Sequence, residues 1–96
     1  MNIGIDYDDT ISVYPHCWQE VINTFVKYGF KVYIVTYRDS SQFQDMRIMD
    51  NVVDRIFTSG IAKKEYCKNM GINIGVWIDD CPESILYSYK ELLEKI

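Results

Sequence analysis

Four short apolar runs, each followed by a helical pattern, constrain this chain more than any other feature. The runs are Ile3-Gly4-Ile5, Val32-Tyr33-Ile34-Val35, Arg55-Ile56-Phe57 and Ile74-Gly75-Val76-Trp77-Ile78. In the second and fourth, apolar residues stand at consecutive positions. That predicts strands buried on both faces, as in a parallel sheet covered by helices. The first helix is predicted from Pro15, which suits a first helical position, to Gly29, with Trp18, Val21, Ile22, Phe25 and Val26 at helical spacing. A second helix is expected over 41–49, with Phe43, Met46 and Met49 inward. A third is expected over 62–70, ending at Gly71. The last begins at Pro82 and carries Ile85, Leu86, Tyr89, Leu92, Leu93 and Ile96 on one stripe. The order βαβαβαβα, without repeat, low-complexity tract or linker, gives a single α/β domain over residues 1–96.

Handedness then restricts the topology. Crossovers between parallel strands are right-handed in nearly all proteins. With helices on both faces, the chain winds outward and returns to the far side of its first strand, which predicts the order 4-1-2-3. The winding direction switches between strands 1 and 4, and open α/β sheets bind ligands beyond the carboxyl ends of strands at such a switch.

The residues at those ends are chemically pointed. Strand 1 runs into Asp6-Tyr7-Asp8-Asp9-Thr10 and strand 4 into Asp79-Asp80. Strand 2 ends at Thr36, followed by Tyr37-Arg38, and Lys63-Lys64 opens the helix after strand 3. Carboxylates gathered in one crevice raise one another's pKa. A hard divalent cation such as Mg²⁺ relieves that repulsion, and Mg²⁺ beside a lysine and a threonine hydroxyl can hold a phosphoryl group. Each feature alone has an ordinary explanation. Asp79 or Asp80 could cap the helix at Pro82, Asp8 and Asp9 could be solvated loop acids, Thr36 a β-branched strand residue, and Lys63 and Lys64 an exposed helical face. Asp6 continues an apolar strand, where an unpaired buried carboxylate is costly. Arg38 reads as a surface arginine, with contact to substrate charge as its second reading.

Composition removes other classes. The 96 residues carry a net charge of −4, so no global field gathers nucleic acid or an anionic membrane. No apolar run approaches the roughly 18 residues of a membrane span, and Met1 leads directly into a strand, so no signal peptide is expected. Cys17, Cys67 and Cys81 are odd in number and lack a CxxC spacing, which suits reduced thiols and a cytoplasmic location rather than zinc or disulfides. A single histidine, His16, excludes a two-histidine metal motif, and no Gly-rich phosphate loop occurs.

In sequence order these motifs resemble the haloacid dehalogenase superfamily of phosphohydrolases. Asp6-Tyr7-Asp8-Asp9-Thr10 is similar to its DxDxT signature, Val32 to Thr36 to its second motif, Lys63 or Lys64 to its third-motif lysine, and Ile78-Asp79-Asp80 to its fourth. The resemblance covers residues 3 to 80 and implies a single Rossmann-like domain. By position it implies Asp6 as nucleophile, forming an aspartyl phosphate, and Asp8 as general acid and then base. Thr36 and the lysine, Lys63 by preference, would hold phosphoryl oxygens. Mg²⁺ would be held by Asp6, the backbone carbonyl of Asp8, and Asp79, with Asp80 in direct or indirect support. The implied activity is Mg²⁺-dependent hydrolysis of a phosphomonoester.

Many members of that superfamily carry a cap domain, and here neither gap has room for one. A helix fills most of the stretch between Thr10 and strand 2, and the stretch from Thr36 to Lys63 holds one helix and one strand. An open site suits a macromolecular phosphorylated substrate, a second chain that completes the cap, or small phosphates with loose specificity. Two other readings share the fold, a phospho-accepting regulatory module and a non-catalytic binding module. Nucleophile position on strand 1, together with Asp8, favours hydrolysis.

Overall fold

The computed structural model describes residues 1–95, so Ile96, the last residue of the stripe expected on the final helix, lies outside the described residues. In chain order the elements are β1 (Asn2–Ile5), α1 (Pro15–Lys27), β2 (Lys31–Thr36), β3 (Asp54–Phe57), α2 (Lys63–Asn69), β4 (Ile74–Ile78), α3 (Glu83–Leu86) and α4 (Tyr89–Glu94). The four strands form one α/β sheet in the order β3-β2-β1-β4, with every pairing parallel. Counted from the β4 edge, the same order reads 4-1-2-3. No described helix is long and apolar enough to cross a membrane.

The pleat of β2 divides the interior in two. Val32 and Ile34 join Ile3 and Ile5 of β1 on the face covered by α1, where Ile22 is fully buried and Trp18 and Phe25 pack beside it. Tyr33 and Val35 lie on the opposite face with Ile56 and with Cys67 of α2. Each fully buried aliphatic side chain contributes about 1.5–3 kcal/mol. Helix α1 begins at Pro15 and gives way to Gly29 at φ 90°, a left-handed turn that favours glycine.

Three expectations need correction. Strand β4 is not buried on both faces. It forms an edge, paired only with β1, and Val76 is 39% exposed. The expected helix over 41–49 is absent. A 3₁₀ turn over Ser40–Gln42 is followed by irregular chain, although Met46 and Met49 still bury against the α1-side core. The physical reason lies in who satisfies the backbone: Tyr7 Oη accepts the Arg47 N–H at 2.7 Å, and the Gln19 side chain bonds both the N–H and the carbonyl of Asp50. The final helix is broken in two. Tyr87 is extended, and Ser88 caps a new helix reciprocally with Glu91, so Leu86, Tyr89 and Leu93 stay largely exposed instead of forming one buried stripe.

Gly4 leaves room for the ring of Trp77, its partner across the β1–β4 ladder. A Cβ at Gly4 would fall 3.0 Å from Cε3 and Cζ3 of the Trp77 ring. Gly4→Val therefore displaces that ring, and we expect a stability loss of about 1–3 kcal/mol. It should be read as a lower urea midpoint at unchanged m.

Candidate active site

The crevice lies where β1 and β4 end side by side. Asp6 N–H donates to the Ile78 carbonyl at 2.9 Å, extending the ladder past β1 and bringing Asp6 beside Asp79. The chain then turns sharply. The Tyr7 carbonyl accepts N–H bonds from Thr10 and Ser12, and Asp9 sits at φ 61°, a conformation aspartate tolerates better than most residues. This turn returns Thr10 to the strand end, where its hydroxyl lies 3.4 Å from Asp6 Oδ2 and 3.3 Å from Asp80 Oδ1.

Lys63, the first residue of α2, points into this acidic ground and is 2% exposed. Its Nζ donates to Asp6 Oδ1 at 2.8 Å and to Asp79 Oδ2 at 2.6 Å, and it lies 5.6 Å from the centre of the Tyr37 ring. Asp79 is fixed further by the Cys81 N–H at 2.9 Å on Oδ1 and the Ser84 hydroxyl at 3.1 Å on Oδ2. These bonds fix the turn before α3 but do not cap the helix, whose N-cap is Pro82 without a side-chain cap, so the capping role considered for Asp79 is not the one it takes.

Asp6, Asp79 and Asp80 each offer an oxygen within 4.8 Å of the others. One lysine faces three carboxyl groups, so full ionisation leaves two negative charges unanswered. The pKa of Asp6 is pushed up to about 7, first by burial and then by its hydrogen bond with Asp80, against the pull of Lys63. An all-oxygen donor set short of two positive charges fits a hard divalent cation such as Mg²⁺.

The remaining expected residues sit around this centre. Asp8 lines the same crevice, a hollow of about 170 Å³, but its side chain turns to Arg38. Arg38 Nε lies 3.0 Å from Asp8 Oδ2 and Nη2 lies 2.7 Å from Oδ1, a two-pronged pair. Asp8 therefore stands outside the carboxylate cluster, and a ligand from it would come from its main chain. Arg38 is not the solvated surface arginine expected. It also bonds Asp45 and the Gln42 carbonyl, and its guanidinium lies 5.4 Å from the Tyr7 ring centre. Thr36 is fully buried at the end of β2, and its hydroxyl accepts the Arg38 N–H at 3.2 Å. Of the two candidate lysines, Lys63 enters the crevice. Lys64 is exposed and lines a separate hollow between α2 and β4.

Thr10, Tyr37 and Ser84 were given no individual role by sequence reasoning. Thr10 was visible as the last letter of the acidic signature. The other two carried no signal, because their relevance depends on where Tyr87–Ser88 and α3 fold back. Compared with family models, curated proteins and solved structures, the chain matches none.

Two outcomes follow from this charge arrangement. Lys63→Met leaves Asp6 and Asp79 without their buried counter-ion and should cost about 3–5 kcal/mol at pH 8. Lys64→Met should stay within about 0.5 kcal/mol, both read by urea denaturation. The second concerns pH. Asp6 titrates near 3.8 unfolded and near 7 folded, so between those values the folded, metal-free protein binds more protons than the unfolded chain. Its stability contribution is therefore lost as pH rises from about 4 to about 7. If Mg²⁺ binds in place of that proton, the rise in Tm on adding Mg²⁺ should be larger at pH 8 than at pH 5.5.

Proposed function

We propose that this chain is a Mg²⁺-dependent phosphomonoester hydrolase, a single Rossmann-like domain of the capless haloacid dehalogenase type, working through an aspartyl phosphate on Asp6. The observation that carries this reading is the placement of Asp6 at the end of β1, held on one oxygen by buried Lys63 and flanked by Asp79 and Asp80. Reduced Cys17, Cys67 and Cys81 go with a cytoplasmic location.

On this reading the work is divided among the crevice residues. Lys63 binds Asp6 Oδ1, and Oδ2, 3.4 Å from the Thr10 hydroxyl, is assigned as the attacking atom. Oδ2 forms a bond to phosphorus while the bond from phosphorus to the leaving oxygen breaks, and Asp8 gives that oxygen a proton. In the second half Asp8 takes a proton from water, the water oxygen bonds to phosphorus, and the Asp6–phosphorus bond breaks to release phosphate. Lys63 and the Thr36 hydroxyl, whose own proton is available to donate, are assigned to the phosphoryl oxygens. Asp6, Asp79 and the main-chain carbonyl of Asp8 would hold Mg²⁺, with Asp80 in direct or indirect support, and the ion would supply charge neutralisation on those oxygens.

One observation favours a second reading. Both oxygens of Asp8 accept from Arg38. To serve as acid and base Asp8 must leave this pair. If it does not, the phosphorylated Asp6 persists and the chain behaves as a phospho-accepting regulatory module. The lifetime of the phosphoprotein separates the two.

Asp6→Asn should abolish turnover of p-nitrophenyl phosphate by several orders of magnitude in a folded protein, and excess EDTA should do the same to the wild type. Asp8→Asn should retain the first step with this good leaving group and accumulate labelled phosphoprotein on acid quench. A near-native rate in Asp6→Asn, or full activity in EDTA, contradicts the proposal. A wild-type phosphoprotein stable for minutes selects the regulatory reading.

A further inference from the structure

Next to the crevice lies a larger hollow of about 490 Å³ that shares Asp8 and Tyr37 with it. Two aromatic rings wall it. Tyr37 and Tyr89 meet edge to face, with centroids 6.4 Å apart and planes at 85°. Both are held from the backbone. The Tyr37 hydroxyl donates to the Tyr87 carbonyl, and the Tyr89 N–H donates to the Gly60 carbonyl at 2.6 Å. Gly60 permits this approach, since at φ 79° it is in the left-handed region and a Cβ there would lie 3.3 Å from Tyr89 Cβ. The break between α3 and α4 therefore has a local result: it sets an aromatic ring, 56% exposed, over a cavity beside the proposed acid.

The polar rim narrows what fits. Arg38 is the hollow's one cation among the described residues, and its guanidinium is taken up by Asp8, Asp45 and the Gln42 carbonyl. Asp39 accepts from the hydroxyls of Ser41 and Ser59, which hold its carboxyl below the usual carboxylate range, so it stays ionised. A leaving group with a second phosphate or a carboxylate would meet a negative rim without a free counter-charge. The Gln42 side-chain amide has no acceptor among the described residues and can donate to a ring substituent, while Asp39 can accept from a hydroxyl or amino group.

We propose that this hollow receives the leaving group and selects phosphate monoesters that carry an uncharged, planar aromatic ring. The inference rests on the hydrolase reading above and adds the substrate class to it.

The test compares adenosine 5′-monophosphate with ribose 5-phosphate, two esters with the same kind of primary alkoxide leaving group that differ in the ring. In Mg²⁺, kcat/KM should be about tenfold or more higher for the nucleotide. Tyr89→Ala should bring that ratio near one, and Tyr89→Phe should keep it. Adenosine 3′,5′-bisphosphate should be a poorer substrate than the monophosphate. A p-nitrophenyl phosphate arm identifies the source of the ring. A tenfold loss in Tyr89→Ala on both the nucleotide and p-nitrophenyl phosphate includes aryl phosphates, and a loss confined to the nucleotide restricts the class to nucleosides. Equal rates on the nucleotide and the sugar phosphate in the wild type overturn the inference while leaving hydrolysis intact, whatever the variant does. No hydrolysis of any ester in Mg²⁺ overturns the hydrolase reading and this inference with it.

Discussion

The Lys63 ammonium between Asp6 and Asp79 is the interaction on which the rest of the crevice depends. It joins three elements at once: the end of β1, the end of β4 and the first turn of α2. A buried lysine without partners would lose its proton, and two buried aspartates without a cation would hold theirs. Burial first, and then the hydrogen bond with Asp80, leaves Asp6 poised near neutrality against the pull of Lys63, in a crevice with an excess of carboxyl over ammonium groups. The same excess is the physical reason a divalent ion suits the place.

The sheet makes this convergence available without strain over most of its length. Because β2 feeds an apolar layer on each face, α1 and α2 can cover opposite sides, and the strand ends they leave open all point one way. Polar side chains collect at that end because the apolar layers stop there. The positive φ at Asp9, a residue type that accepts it, is the local distortion that turns the chain back over the crevice.

Much of this was legible in residue order. Four apolar runs announced four strands, and Pro15 and the glycines after the helical patterns marked where helices begin and end. The acidic strand ends of β1 and β4 could be placed together because right-handed crossovers leave few topologies. What the sequence concealed was tertiary satisfaction of backbone groups. Met46 and Met49 have helical spacing, yet Tyr7 and Gln19 bond the backbone there and hold it in an irregular path. The apolar stripe after Pro82 masked the Ser88–Glu91 capping pair, which was written in the sequence as S-x-x-E but read as part of one long helix. Consecutive apolar residues in β4 suggested burial on both faces, while at this edge Val76 is left 39% exposed. Arg38 illustrates a different limit. Its partner Asp8 stands 30 positions away, so no local pattern could pair them.

The pairing of the first strand with the last has a kinetic consequence. Thr10 and Asp80 meet across 70 positions of chain, and Lys63 reaches Asp6 across 57. Closing loops of that length carries an entropic cost that local contacts cannot offset until late in folding. A chain emerging from the ribosome can pair β1 with β2 and dock α1 while the acidic crevice does not yet exist, because β4 is still to be made. The carboxylates of β1 thus spend synthesis in water. They are desolvated only in the closing step, when Lys63 of α2, which balances them, has already been made.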